Sequence, residues 1–279
     1  MIQRPEGSLR DNFSSVCADD KYNTVIVELQ NPTDEAIAAF KKTVIDSPAV
    51  TFRKSRGVIV PCATNIYCGS EVQEIDTAPP GYYNQSSVGY RVYKNTDQSI
   101  ICAGHQFNSV GLGAYIGFNY VGMCYATSIS TSPTSCDAAY VNISNSNYTP
   151  SNSTAFVNDT AKVIINTPAY GDTVYKVGQR TKRTTGIVTD SSVTSINLKD
   201  DNGVVIAQIT DTIRAESPTG VAFVGQGDSG GLLYDCWSYT CGIATACNDD
   251  ISSGPPVIGT VGYFSKAANI QGKFLCYRY

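Results

Sequence analysis

GQGDSGG, residues Gly225–Gly231, is the stretch on which the reading of this chain turns. Glycines flanking Asp and Ser suit a tight turn, because Gly accepts positive φ at no steric cost. The same letters suit a serine raised on a turn to act as a nucleophile. A serine hydroxyl is a poor nucleophile until a base takes its proton. The choice therefore depends on whether the chain supplies a base, and a group to hold that base.

The chain has one histidine, His105, in IICAGHQF. An apolar strand, Ser99 to Ala103, runs into Gly104 and His105, which places the ring at a strand end where a scaffold can aim it into a cleft. A neutral imidazole needs an acceptor on its far nitrogen, and a buried carboxylate fixes the tautomer and stabilises the imidazolium. The acids between His105 and Ser229 include Asp137, Asp159, Asp172, Asp190, Asp200, Asp201 and Asp211, most of them in polar turns. Asp137 differs. It opens CDAAYV, and an acid heading an apolar strand is expected to be buried with a partner. The alternatives are a surface histidine and an Asp that bonds only a backbone amide. His105, Asp137 and Ser229, in that order and with the only histidine among them, form the candidate nucleophile–base–orienter set.

The totals narrow the classes. At 279 residues the chain can form one large or two medium domains. Its 42% apolar content is that of a globular protein. With 20 basic against 24 acidic residues, net −4, neither a nucleic-acid nor an anionic-membrane partner is expected. The one basic cluster, Lys176, Arg180, Lys182 and Arg183, reads as strand or loop surface. No stretch is apolar enough to span a membrane. Ten cysteines without a C-x-x-C spacing favour disulfides over zinc. Cys62/Cys68, Cys124/Cys136 and Cys236/Cys241 are candidate local staples, with connectivity open. Disulfides imply an oxidising compartment, hence secretion, although the first thirty residues carry no signal-peptide pattern. Six sequons, at Asn12, Asn84, Asn142, Asn147, Asn152 and Asn158, suggest glycosylation weakly. The acidic turns Asp200–Asp201 and Asp249–Asp250 read as solvated loops, so no metal and no cofactor is expected.

Residues 23–55 read differently from the rest. NTVIVEL (Asn23 to Leu29) is a strand, Asn31 and Pro32 look like an N-cap and first helical position, and Ile37, Phe40 and Val44 share one helical face. Val50 to Ser55 reads as a returning strand, which gives a β-α-β unit with the one helix the sequence marks. Pro61 to Ser87 reads as an irregular connection. From Val88 short strands alternate with turns, including a hairpin at DDNG (Asp200 to Gly203). That spacing suggests an all-β sandwich or barrel. Asn142 to Thr160, polar and low in complexity, reads as an exposed loop.

AGH (Ala103 to His105), DAAYV (Asp137 to Val141), VGQRTKRTTGIVT (Val177 to Thr189), GDSGG (Gly227 to Gly231) and GIATAC (Gly242 to Cys247) together resemble the chymotrypsin-like serine proteases. The compact spacing of His and Asp is most similar to the bacterial branch of streptogrisins and α-lytic protease. The resemblance covers residues 58–279. It implies an all-β double six-stranded β-barrel, with His105, Asp137 and Ser229 in the cleft between barrels and the amides of Gly227 and Ser229 as oxyanion hole. It also implies that Asp228 pairs with Arg183 of KRTTG to support the oxyanion loop. The substrate pocket would be formed by Phe223, where trypsin-like members carry an acid, and by Thr245, Ala246 and Cys247. Cleavage after small or apolar residues is then expected, rather than after Lys or Arg. Glutamyl specificity is not expected, because relatives that have it use an extra histidine. The substrate would be a protein or peptide and the enzyme a monomer. Residues 1–57, the β-α-β segment, would be a pro-segment remnant or an added domain, with cleavage between Arg53 and Ser70.

The sequence also departs from that pattern. Cys102 stands where Thr is usual, Gln106 where many relatives carry Cys, and Cys136 directly precedes Asp137. The usual disulfide beside the histidine is therefore absent or rewired. Two rival readings follow: a catalytically inactive homologue acting as a binding or interaction module, and an active fold held latent by the N-terminal unit.

Overall fold

β-branched and aromatic residues are abundant in the chain, and strands dominate the structure. A computed structural model describes residues 7–57, 64–76, 83–130, 132–200, 203–248 and 257–279. The chain divides into two compact units, Met1–Cys62 and Ala63–Tyr279.

In the first unit the strand Thr24–Leu29 lies between Phe13–Asp19, antiparallel, and Val50–Lys54, parallel. The crossover between the parallel pair is the helix Asp34–Thr43. Its N-cap is Thr33, whose hydroxyl accepts from the amide of Ala36, two residues later than the expected start at Asn31. Phe40 is buried against Val27 and Leu29, so the face read from the sequence is the one that packs. The helix Gly7–Asn12 and the strand Phe13–Asp19 had no clear sequence signal.

The second unit contains two barrels. In the first, the sheet runs in the order Asn84–Ser87, Glu71–Glu74, Gly113–Ile116, Asn119–Thr127, Ala139–Ile143, Asp97–Cys102, Arg91–Lys94. Its two edges belong to one run of chain. Residues 84–87 pair with Glu71–Glu74, and residues 91–94 pair with Asp97–Cys102, so the run 84–94 closes the sheet on itself. Six strands then circle a core that includes Ile66, Val72, Ile100, Val121 and Val141. The second barrel closes directly. Tyr239–Cys247, Leu232–Asp235, Thr173–Gly178, Lys182–Val193, Thr212–Glu216 and Val261–Lys266 pair in order, and the last returns to the first. Val174, Val188, Ile213, Leu233 and Phe264 fill it. A third cluster, with Tyr90, Ile101, Val177, Leu232 and Ile243, packs the barrels together. This is the all-β, chymotrypsin-like double six-stranded β-barrel expected from the sequence.

Three local expectations are corrected. Pro61 to Ser87 carries the strands Thr64–Cys68, Glu71–Glu74 and Asn84–Ser87. Asn142 to Thr160 is not a bare loop, because Tyr148–Thr154 pairs in parallel with Thr64–Cys68. A second well-formed helix, Ala267–Phe274, buries Ala267, Ile270 and Phe274. The hairpin at DDNG joins Ile196–Lys199 to Val205–Ile209, with Asp201 and Asn202 outside the described residues.

Cys17, Cys68, Cys102, Cys124, Cys136, Cys236, Cys241 and Cys276 are free thiols, and all of these but Cys17 and Cys236 are buried. Burial pushes the thiols of Cys68, Cys124 and Cys136 up to about 11. No described helix is long and apolar enough to cross a membrane.

Candidate active site

Strand register brings Asp137 to His105. Ala139 lies opposite Cys102 in the antiparallel pair, so the chain leaving one strand at Ala103–His105 runs beside the chain entering the other at Asp137–Ala138. Gly104 allows that approach, since a Cβ there would lie 2.8 Å from the amide nitrogen of Ala138. Asp137 is fully buried and binds His105 twice. Its Oδ1 accepts from the His105 amide at 2.7 Å, and its Oδ2 lies 2.6 Å from Nδ1 of the ring. One carboxylate thus fixes both the backbone and the imidazole.

Ser229 arrives from the second barrel. Its Oγ lies 3.0 Å from Nε2 of His105. The turn that carries it is pressed against the first barrel: the Ser229 carbonyl accepts from the Ser87 amide at 2.8 Å, and the Gly227 carbonyl accepts from the Ser87 hydroxyl at 2.8 Å. Gly230 has φ +84°, and a Cβ there would lie 2.4 Å from the Ser87 carbonyl oxygen. Gly227 has φ +105° with no atom closer than 3.5 Å to a Cβ position, so its glycine answers the backbone conformation rather than crowding. No described group accepts from the amides of Gly227 or Ser229.

Burial of the His105 ring disfavours its charge, but the charge and hydrogen bond of Asp137 outweigh that, and the pKa is raised above the ordinary 6.5. Ser265, unmarked by the sequence reading, supports the acid from behind. Its Oγ accepts from the Asp137 amide at 2.8 Å and lies 2.8 Å from Oγ1 of Thr245.

Asp228 is buried, but its cationic partner is not Arg183. Oδ2 accepts from Lys176 Nζ at 2.8 Å, Thr181 Oγ1 at 2.6 Å and the Gly225 amide at 3.0 Å, while Oδ1 accepts from the amides of Arg180 and Thr181. Arg183 instead bonds Tyr234 Oη at 3.1 Å, lies 3.3 Å from Asp159 and stacks over Tyr175. Strand alternation is the reason. Val177 lies opposite Arg183 and Lys176 opposite Thr184, so Lys176 shares the inward face with Val174 and Gly186 while Arg183 shares the outward face with Tyr175. Lys176, grouped by the sequence reading with a surface cluster, is the fully buried cation. Burial presses its pKa down, against the opposing pull of Asp228.

A cavity of about 60 Å³ opens beside Ser229, lined by Val224–Gln226 and Ala244–Cys247. Thr245, Ala246 and Cys247 line it. Phe223 does not. Its ring fills the barrel interior, 5.7 Å from the Phe264 ring and directly over Gly186, where a Cβ would be only 2.4 Å from Phe223 Cζ. None of its described lining residues is charged. No cluster of three metal-binding side chains occurs among the described residues, and Asp201, Asp249 and Asp250 lie outside them.

A family model described as a Pro-like C-terminal domain matches residues 2–55. No curated protein matches the sequence. Among solved structures, the chain is similar to Thermobifida fusca protease A, at 18% identity and TM-score 0.59 over 77% of this chain and 98% of that one. It is similar to Nocardiopsis protease, at 19% identity and TM-score 0.57 over 77% and 99%. A glutamic acid specific serine protease described as using a histidine triad in substrate binding is similar at 19% identity and TM-score 0.57, over 77% and 100%. Identity this low speaks to fold: the double barrel has the architecture of the bacterial chymotrypsin-like serine proteases.

Proposed function

We propose that this protein is a serine endopeptidase working through an acyl-enzyme. The observation that carries the reading is the unbroken chain Ser229 Oγ–His105 Nε2 and His105 Nδ1–Asp137 Oδ2, at 3.0 and 2.6 Å, beside two unclaimed amides. Ser229 Oγ bonds the scissile carbonyl carbon while its proton passes to His105 Nε2. The charge on the carbonyl oxygen is met by the amides of Gly227 and Ser229. The C–N bond then breaks, and His105 gives its proton to the leaving amine. Water attacks the ester, His105 takes a proton from it, and Ser229 leaves with that proton restored. Asp137 holds the tautomer and stabilises the imidazolium, while Lys176 and Asp228 hold the turn that carries both amides.

The small, uncharged cavity favours a small apolar side chain before the scissile bond. Glutamyl specificity through a histidine triad is unsupported, since the only histidine here is the one bonded to Ser229 and Asp137. The Pro-like match over residues 2–55 supports residues 1–57 as a pro-segment that restrains the 58–279 domain until it is cut away.

The test is mass analysis after treatment with a fluorophosphonate. One adduct, on Ser229 and abolished by His105→Ala, is expected, and labelling should speed up once the N-terminal unit is removed. A folded protein without adduct, before and after that trimming, overturns the enzyme reading in favour of a binding module.

A further inference from the structure

A second and larger cavity, of about 520 Å³, comes near the same turn through Gln179. Gln179 links the two places. It lines the cavity, its Oε1 sits 3.5 Å from where a Gly227 Cβ would be, and its amide donates to the Ser87 hydroxyl that holds the Gly227 carbonyl.

The walls of this groove are costly features of the fold. Phe118 and Phe156 line it with rings 63% and 51% exposed. Both have positive φ, +64° and +69°, and so does Lys182 beside them, at +60°. Bulky side chains rarely occupy that region, and glycine or asparagine would fill such turns without strain. Strained residues gather where a ligand is clamped. Tyr83 packs edge-on against Phe118 at 5.0 Å. The Lys182 ammonium lies 4.1 Å over the Phe156 ring and donates to the Gln179 carbonyl, and among the described residues it pairs with no carboxylate. The one acid among the described residues of the groove, Glu71, is already held by the side-chain amides of Gln73, Gln85 and Gln179.

We propose that this groove seats the part of a peptide that follows the scissile bond, with an apolar side chain between Phe118 and Phe156 and a carboxylate against Lys182. The proposal rests on the reading of Ser229 as nucleophile. The small cavity is lined by Gln226 and Ser229, and Gln179 of the groove reaches to 3.5 Å from the Cβ position of Gly227 between them, so a chain held at Ser229 with its preceding side chain in the cavity can pass on into the groove.

The test uses the full chain, with residues 1–62 removed in parallel, and substrates that share alanine before the scissile bond. Their leaving segments carry phenylalanine–glutamate, alanine–alanine or phenylalanine–lysine as the second and third residues. Each rate is divided by the same protein's rate on an alanine p-nitroanilide, which has no residues after the bond. The phenylalanine–glutamate segment should gain about tenfold in kcat/KM over alanine–alanine, the order that one well-fitted apolar contact supplies. Phe118→Ser with Phe156→Ser should collapse that ratio, and Lys182→Gln should erase the preference for glutamate over lysine. Equal rates for all three segments, with the p-nitroanilide cleaved and Ser229 labelled, overturn the groove and leave the protease reading standing. If Ser229 does not label and nothing is cleaved, the protease reading fails. Fluorescence anisotropy of a fluorescein-tagged peptide ending in alanine–phenylalanine–glutamate then decides the groove alone: binding lost in the Phe118→Ser, Phe156→Ser variant supports it, and no binding to the parent chain overturns it.

Discussion

The carboxylate of Asp228 and the ammonium of Lys176 meet at 2.8 Å in the interior of the second barrel, both fully buried. The pair sits one residue from Ser229 and is the electrostatic anchor of the turn that supplies both unclaimed amides. Removing one partner of a buried pair leaves an uncompensated charge. Lys176→Met should therefore cost about 3–5 kcal/mol of stability, and Ser229 labelling should slow as the turn loosens. Arg183→Met removes a partly exposed ion pair with Asp159, a hydrogen bond to Tyr234 and the stack over Tyr175, and should cost about 1–2 kcal/mol, less than Lys176→Met. Urea unfolding of the two variants side by side decides between the anchors. A larger loss for Arg183→Met would reverse the assignment.

The His105 pKa is raised because the Asp137 carboxylate outweighs burial of the ring. Catalysis needs the neutral imidazole, so kcat/KM should rise with pH through a midpoint above the ordinary 6.5. Asp137→Asn removes the opposing charge and leaves the burial, so the midpoint should move down while the maximum falls by about 10⁴. Stability responds with the opposite sign. A raised folded value means the ring's contribution is complete below the unfolded pKa and lost as pH rises through the folded one. Thermal melts across that window should show the native protein losing Tm with rising pH relative to His105→Ala. A profile flat from pH 5 to 8 would remove His105 as the base.

Ser265 extends the same hydrogen-bonded set. Its hydroxyl accepts the Asp137 amide and meets Thr245, which also lines the small cavity. Ser265→Ala strands a buried N–H and should cost about 1–3 kcal/mol. Because the lost contact fixes the acid rather than the substrate, kcat should fall more than KM rises. A change in KM alone would assign Ser265 to the pocket instead.

Strand periodicity and turn chemistry made the barrels legible. The runs from Val88 onward alternate and break where the strands do, and a lone histidine at the end of an apolar strand, followed by an acid heading another, was enough to find a pair that register then brings together. What escaped was information about facing. In TVYKVG both faces of the strand are apolar, so period alone does not say that Lys176 points in, and a short cluster of basic residues looks like surface. Register with Lys182–Val193 settles it, and register is a tertiary fact. Phe223 escapes for a similar reason: the resemblance puts it where trypsin-like members carry an acid in the pocket, whereas Gly186 opens room for its ring inside the barrel. The strand Tyr148–Thr154 is polar because one face meets water, and AANIQGKF hid a helix behind an internal glycine and a strand running straight into it.

The position of Phe223 separates pocket from core. Its ring has no exposure and packs on Phe264 in the second barrel's interior. Phe223→Ala should therefore cost about 3–5 kcal/mol as a core cavity and leave unchanged the ratio of rates on substrates with alanine or leucine before the scissile bond. Ala246→Val adds bulk to the cavity wall itself. It should shift that ratio toward alanine by tenfold or more, since one or two methylenes in such a site are worth about 1–3 kcal/mol. Peptide kinetics with the two side chains on each variant read both effects. A ratio that moves with Phe223 but not with Ala246 would return Phe223 to the pocket and place the binding site deeper in the barrel than the described cavity.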